Sequence, residues 1–60
     1  MFFINYICRG ENGAVVESFN DTTNIFLSRK TAKEEAAKKV AVFNTGCVRG
    51  VWEGKVVSAF

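Results

Sequence analysis

The chain has 60 residues, a formal net charge of +2, and a composition that is 48% apolar and 23% charged. That is one globular domain near the lower size limit for folding alone, burying only about 60% of its unfolded surface. The composition excludes a disordered chain, and the charge is too small to mark a nucleic-acid binder by itself. With two cysteines and no histidine, a structural zinc site lacks ligands.

Residues 1–7 are apolar, but they lack a charged leading segment and are too short for a signal peptide. No stretch approaches the length of a membrane span. A cytoplasmic location without a membrane partner is therefore expected. Residues 2–9 alternate, with Phe2, Ile4, Tyr6 and Cys8 on one face and Phe3, Asn5, Ile7 and Arg9 on the other. That period of two predicts a strand. Asn12-Gly13 then gives a strong hairpin signal, because both residues tolerate positive φ, and residues 14–19 return as the second strand.

Residues 20–24 are a polar break rich in turn formers. Residues 25–28 are either a third strand or the resumption of a bent second one. A helix is predicted over 32–44. Thr31 and Glu34 have capping-box spacing, and Glu34–Lys38 and Glu35–Lys39 are i,i+4 pairs worth about 0.3–0.5 kcal/mol each. Ala32, Ala36, Val40 and Phe43 share one helical face, and their small size lets a helix sit close to a sheet. Gly46 is the expected left-handed stop.

Residues 47–52 and 55–60 read as two further strands joined at Glu53-Gly54. The predicted fold is a single α+β domain spanning 1–60. Its antiparallel sheet has four or five strands with one helix on one face, in ββ(β)αββ order. Cys8 and Cys47 are expected as buried thiols rather than a disulfide, since no secretion signal accompanies them.

Catalysis is not expected. General acid–base and nucleophilic chemistry usually need histidine or paired carboxylates in a cleft, and the acids here fall in turns or on the solvated helix face. No cofactor or metal is implied. The charge is unevenly spread: Arg29 to Lys39 hold five cations and two acids, a local +3 that leaves −1 elsewhere. Arg29, Lys30 and Lys33 crowd the helix start, where the macrodipole disfavours cations. With Arg49 they form a candidate basic contact for phosphate or for a partner's carboxylates.

Arg29-Lys-Thr-Ala-Lys-Glu-Glu-Ala-Ala-Lys-Lys-Val-Ala41 resembles the final helix of double-stranded-RNA-binding domains, whose pattern is roughly K-K-x-A-K-x-x-A-A-x-x-A. The resemblance implies phosphate contacts by Arg29, Lys30 and Lys33; that family's first helix has no counterpart here. In size and pattern the chain also resembles small phage-encoded modulators, including inhibitors of host RNA polymerase and anti-CRISPR proteins. Ile25-Phe-Leu-Ser-Arg-Lys-Thr-Ala-Lys-Glu-Glu-Ala36 and Val48-Arg-Gly-Val-Trp-Glu-Gly-Lys-Val-Val57 carry that resemblance. It implies stoichiometric binding to a host protein or protein–nucleic-acid complex.

One helix covers one face of a small sheet. Phe2, Ile4, Tyr6, Ile25, Leu27, Val48 and Trp52 are predicted to face it. A second apolar set, Phe3, Ile7, Phe19 and Phe26 with Val15 and Val51, is left for the opposite face, where it marks a partner or homodimer surface. The leading functional expectation is a small non-catalytic binding protein of the phage-modulator type. The alternatives are a nucleic-acid-binding module using the basic helix start, and a structural homodimer subunit.

Overall fold

A computed structural model of the chain describes residues 1–59. It contains β1 (Phe2–Arg9), β2 (Val15–Phe26), α1 (Arg29–Asn44) and β3 (Val51–Ser58). The three strands form one antiparallel sheet in the order β2-β1-β3, and α1 lies on one face. The α+β class and the single packed helix agree with the sequence. The predicted strand count and order are not confirmed: the described residues form ββαβ with three strands, where ββ(β)αββ with four or five is predicted.

β1 follows its alternation: Ile4, Tyr6 and Cys8 are buried against the helix, while Arg9 at its end is exposed. The hairpin to β2 is a three-residue loop. Gly13 N–H donates to the Gly10 carbonyl at 2.9 Å, and Gly10 N–H donates to that of Ala14, also at 2.9 Å. Only Gly13, at φ 81°, takes the left-handed conformation, so the turn is a bulged hairpin rather than a two-residue one.

β2 is a single bent strand. Its register against β1 jumps from Ile4↔Asp21 to Phe2↔Phe26, so residues 22–25 bulge opposite Phe3. The predicted polar break is this bulge, held by the Asn24 amide donating to Asp21 Oδ2 at 3.1 Å. Ile25 therefore belongs to the second strand, and no separate third strand precedes the helix. Leu27 is 83% exposed at the junction, which corrects its expected place in the core.

The helix begins three residues before the predicted start because Ser28, not Thr31, is its N-cap. Ser28 has extended φ and ψ, and its Oγ accepts from Thr31 N–H at 3.5 Å. At the other end Gly46 is left-handed, φ 74°, as predicted. The helix runs antiparallel to β3. Arg29 stacks over Phe2 at one end of the sheet, Ala36 meets Gly54 in the middle, and Asn44 binds Trp52 at the far end.

Gly54 explains why Glu53-Gly54 is not a turn. A Cβ on Gly54 would lie 3.0 Å from the Ala36 Cβ and 3.4 Å from Val40 Cγ2. The glycine is there so that an alanine-faced helix can approach the middle of a continuous strand. The predicted strand over 47–52 is also displaced: Val48 is 96% exposed in a loop, and β3 starts only at Val51. Phe60, at the end of the predicted last strand, lies outside the described residues.

The core holds Ile4, Tyr6, Cys8, Ala32, Ala36 and Trp52. Beside it Tyr6, Phe19, Phe43 and Trp52 form a ring cluster, with Tyr6–Phe43 centroids at 5.2 Å and 83° and Phe19–Trp52 at 5.8 Å and 69°. Edge-to-face pairs of this kind add about 0.5–1.5 kcal/mol beyond area burial. The Tyr6 hydroxyl is buried with no hydrogen-bond partner among the described residues, and burial pushes its pKa up. Tyr6→Phe is therefore expected to raise stability, by about 1 kcal/mol, because an unpaired buried hydroxyl carries its desolvation cost without return. Urea denaturation measures this; a clear loss of stability would instead mean that the hydroxyl bonds to the nearby Lys39 or Asp21.

Candidate functional site

The four basic candidates do not form one patch. Arg29 and Arg49 belong to opposite ends of the sheet. Arg29 lies 4.9 Å over the Phe2 ring, whereas Arg49 binds Glu17, the residue paired with Cys8, at 2.6 Å. Phe2 and Cys8 are six residues apart on one strand, roughly 20 Å at strand rise. Arg49 is thus tied down, and its guanidinium braces the loop before β3. Lys30 and Lys33 have no acidic partner among the described residues, so the helix start keeps a local positive surplus.

The apolar candidates also divide. Phe3 and Ile7 lie on the sheet face away from the helix, half-buried among cross-strand neighbours. Phe19 and Phe26, expected beside them, lie on the helix face instead. The bulges on either side of Phe19 and the paired positions Tyr6↔Phe19 and Phe2↔Phe26 put them there. Phe19 joins the ring cluster while remaining 41% exposed, because α1 sits chiefly over β1 and β3. Phe26 packs against the core.

On the open face, polar pairs interrupt the apolar side chains. Arg9 Nε donates to Glu53 Oε1 at 3.1 Å, and Asn5 Nδ2 donates to Asn20 Oδ1 at 2.7 Å. On the helix face Lys39 Nζ bridges to Asp21 Oδ2 at 3.0 Å. The Asn24 amide, then Lys39, hold the Asp21 carboxyl below its usual range. These pairs are structural ties at the rim of the domain.

The distinctive feature is the outer edge of β3, which sequence reasoning did not single out. β3 pairs with β1 on one side only. At its start, Trp52 N–H donates to Asn44 Oδ1 at 2.8 Å, and Asn44 Nδ2 donates to the Trp52 carbonyl at 3.3 Å. Both backbone groups of Trp52 therefore point away from β1. Because the β1–β3 register is unbroken, the same holds two and four residues on, so Gly54 and Val56 turn their N–H and C=O outward. The Asn44 amide makes the two bonds that a peptide of an added strand would make, and beyond it the outward groups of Gly54 and Val56 have no backbone partner among the described residues.

Beside that edge lies a cleft of about 340 Å³ between α1 and β3, lined by Ala36, Ala37, Val40, Trp52, Gly54 and Val56, with Lys33 as its charged wall. Side chains of a strand paired to Gly54 and Val56 would enter this cleft, since directly opposed residues point to the same face. The small Ala36, Ala37 and Gly54 leave the room. Among the described residues no cluster of three or more histidine, cysteine or acidic side chains could hold a metal, and no helix is long and apolar enough to cross a membrane. Comparison with known protein families, curated proteins and solved structures finds no match.

Proposed function

We propose that the chain is a small non-catalytic binding protein that docks an extended segment of a partner protein onto the outer edge of β3 at Gly54 and Val56. The observation that carries this reading is the Asn44–Trp52 pair: a side-chain amide already caps the start of an edge whose next outward groups, at Gly54 and Val56, lead into an apolar cleft. Strand addition takes affinity from main-chain hydrogen bonds and specificity from pockets for alternate side chains. The edge carries no proline, and its two charged residues, Glu53 and Lys55, stand on the open face away from the cleft, so the cleft side of the edge is left unprotected.

The partner segment is one with small apolar side chains on the cleft side and an acidic residue within reach of Lys33. Arg29 and Lys30, on the same first turn of the helix, extend that preference. Self-pairing is disfavoured, because a symmetric arrangement about Gly54 and Val56 brings two copies of Lys33 together. A stoichiometric docking role of this kind agrees with a phage-type modulator that occupies a site on a host macromolecule, acting in the host cytoplasm.

Amide hydrogen exchange with a displayed library of random peptides as the probe tests the proposal. In the free protein the Trp52 amide should exchange slowly and those of Gly54 and Val56 fast. Selected peptides should protect Gly54 and Val56, and Lys33→Glu should weaken them by about tenfold, equivalent to 1.4 kcal/mol. Val56→Pro should abolish binding, since it removes an outward N–H. Protection of both amides in the free protein that rises with concentration would assign the edge to a second copy and overturn the proposal. Binding to RNA or DNA that falls steeply with salt, with both edge amides unaffected, would overturn it in favour of the basic helix start.

A further inference from the structure

Two thiols lie apart from the docking edge. Cys8 is fully buried on β1, directly opposite Trp52 in register. Cys47 is half-buried in the 45–50 loop between α1 and β3 and packs on the same core. Three ties hold it there. Its backbone N–H donates to the Asn44 carbonyl at 3.4 Å, and the Asn44 side chain is bound to Trp52. Gly50 lies against the carbonyl of Arg9, the residue after Cys8. Arg49 bridges to Glu17, which pairs with Cys8 from the β2 side.

The loop is thus folded over the end of β1 with its cysteine against the buried one. Cys47 packs against the buried cluster that holds Cys8, near enough for each thiol to bear on the other's ionisation. These contacts separate the two sulfurs chemically. The Arg49 N–H, then that of Gly50, lower the Cys47 pKa, while burial, then the neighbouring Cys47, raises that of Cys8. The accessible sulfur is the more readily ionised, and the thiolate is the attacking form. Both cysteines are free thiols in the structure.

We propose that Cys47 and Cys8 form a reversible thiol–disulfide couple whose co-substrate is a low-molecular-weight disulfide of the glutathione class. The Cys47 thiolate attacks one sulfur of that disulfide, breaking its S–S bond and releasing one thiol, and a mixed disulfide forms on Cys47. Cys8 then gives up its proton and attacks the Cys47 sulfur, expelling the second thiol. The protein loses two hydrogens and gains one S–S bond, and the small disulfide is reduced to two thiols. Excess small thiol reverses both steps. The product joins the loop carrying Arg49 to β1 and closes a loop of most of the chain, whichever partner takes the β3 edge.

The full-length protein, equilibrated with mixtures of oxidised and reduced glutathione, acid-quenched and treated with N-ethylmaleimide, is read by intact mass. The expected wild-type product is a monomer that has lost two hydrogens and takes up no maleimide, reverting as reduced glutathione is raised. Cys8→Ala should stop at a glutathione adduct on Cys47, and Cys47→Ser should stay unmodified in the folded state. Ring closure should be favoured by at least about tenfold over the urea-unfolded chain, because the fold supplies the effective concentration. A wild-type chain that accumulates the adduct, forms intermolecular dimers, or keeps both thiols at every ratio overturns the couple. The wild-type result decides this even if a variant fails to fold.

Discussion

Trp52→Ala is expected to leave the chain largely unfolded at room temperature. Trp52 is 8% exposed, and it stands where the sheet, the helix end and the loop before β3 meet. Its ring lies 5.2 Å from that of Phe43 and 5.8 Å from that of Phe19. Truncating a buried tryptophan costs about 3–5 kcal/mol through lost transfer energy and the cavity left behind. A core in a chain of this length rarely supplies more than about 3–5 kcal/mol in total, so the loss matches the whole margin. Far-UV circular dichroism in urea checks this without relying on the deleted fluorophore. Trp52→Phe should keep a cooperative transition, since one ring still fills much of the site. A Trp52→Ala variant with its midpoint essentially unchanged would mean that the aromatic cluster is not the stabilising centre of the fold.

The physical reason for that concentration of stability is the alanine-faced helix. Ala32 and Ala36 are its only buried residues, and each buries little area. The larger side chains that anchor it, Val40 and Phe43, lie towards its C-terminal end, where Trp52 and Tyr6 receive them. Close approach at Gly54 provides contact without bulk, so the energetic weight shifts to the aromatic end. The N-terminal end depends more on the Ser28 cap and on Arg29 over Phe2, both exposed and each worth about 1 kcal/mol or less. Fraying there would leave the cleft wall at Lys33 the more mobile end of the docking edge.

Local features were legible in the sequence; meanings set by distant neighbours were not. The alternation of residues 2–9 places Ile4, Tyr6 and Cys8 in the core, and Gly46 stops the helix as read. Ser28 and Thr31 both have cap chemistry, and choosing between them depends on where β2 ends. Gly54 reads as a turn because nothing local reveals Ala36 above it. A signal was present, since Trp52, Gly54 and Val56 alternate with Glu53 and Lys55 as a half-buried strand does. Phe19 and Phe26 take the helix face against the simple alternation because a β-bulge resets which face a side chain takes, and bulges leave no period-two trace. Lys33 was legible as a cation out of place at a helix start. The open edge at Gly54 and Val56 was not, because strand order is a tertiary property.

Gly50 supplies the other large expected effect, and its comparison with Gly46 separates two reasons for a glycine. Gly46 sits at φ 74° with open space around its missing Cβ. Gly46→Ala should cost only the left-handed penalty, roughly 1–2 kcal/mol. Gly50 has no such φ, but a Cβ there would run into the backbone carbonyl of Arg9 and come within 3.2 Å of Gly10 Cα. Backbone on both sides cannot yield as a side-chain tip can. Gly50→Ala should therefore cost about 3 kcal/mol, the upper end of overpacking losses. Relief can come only by lifting the loop away from β1, which withdraws Cys47 from Cys8 and Arg49 from Glu17. Urea melts of the two variants should place Gly50→Ala clearly below Gly46→Ala. Under native conditions N-ethylmaleimide should label Cys8 in Gly50→Ala and spare it in Gly46→Ala. Equal midpoints together with an unlabelled Cys8 would mean that the loop accommodates a methyl group, and that its contact with β1 is not what seals the end of the core.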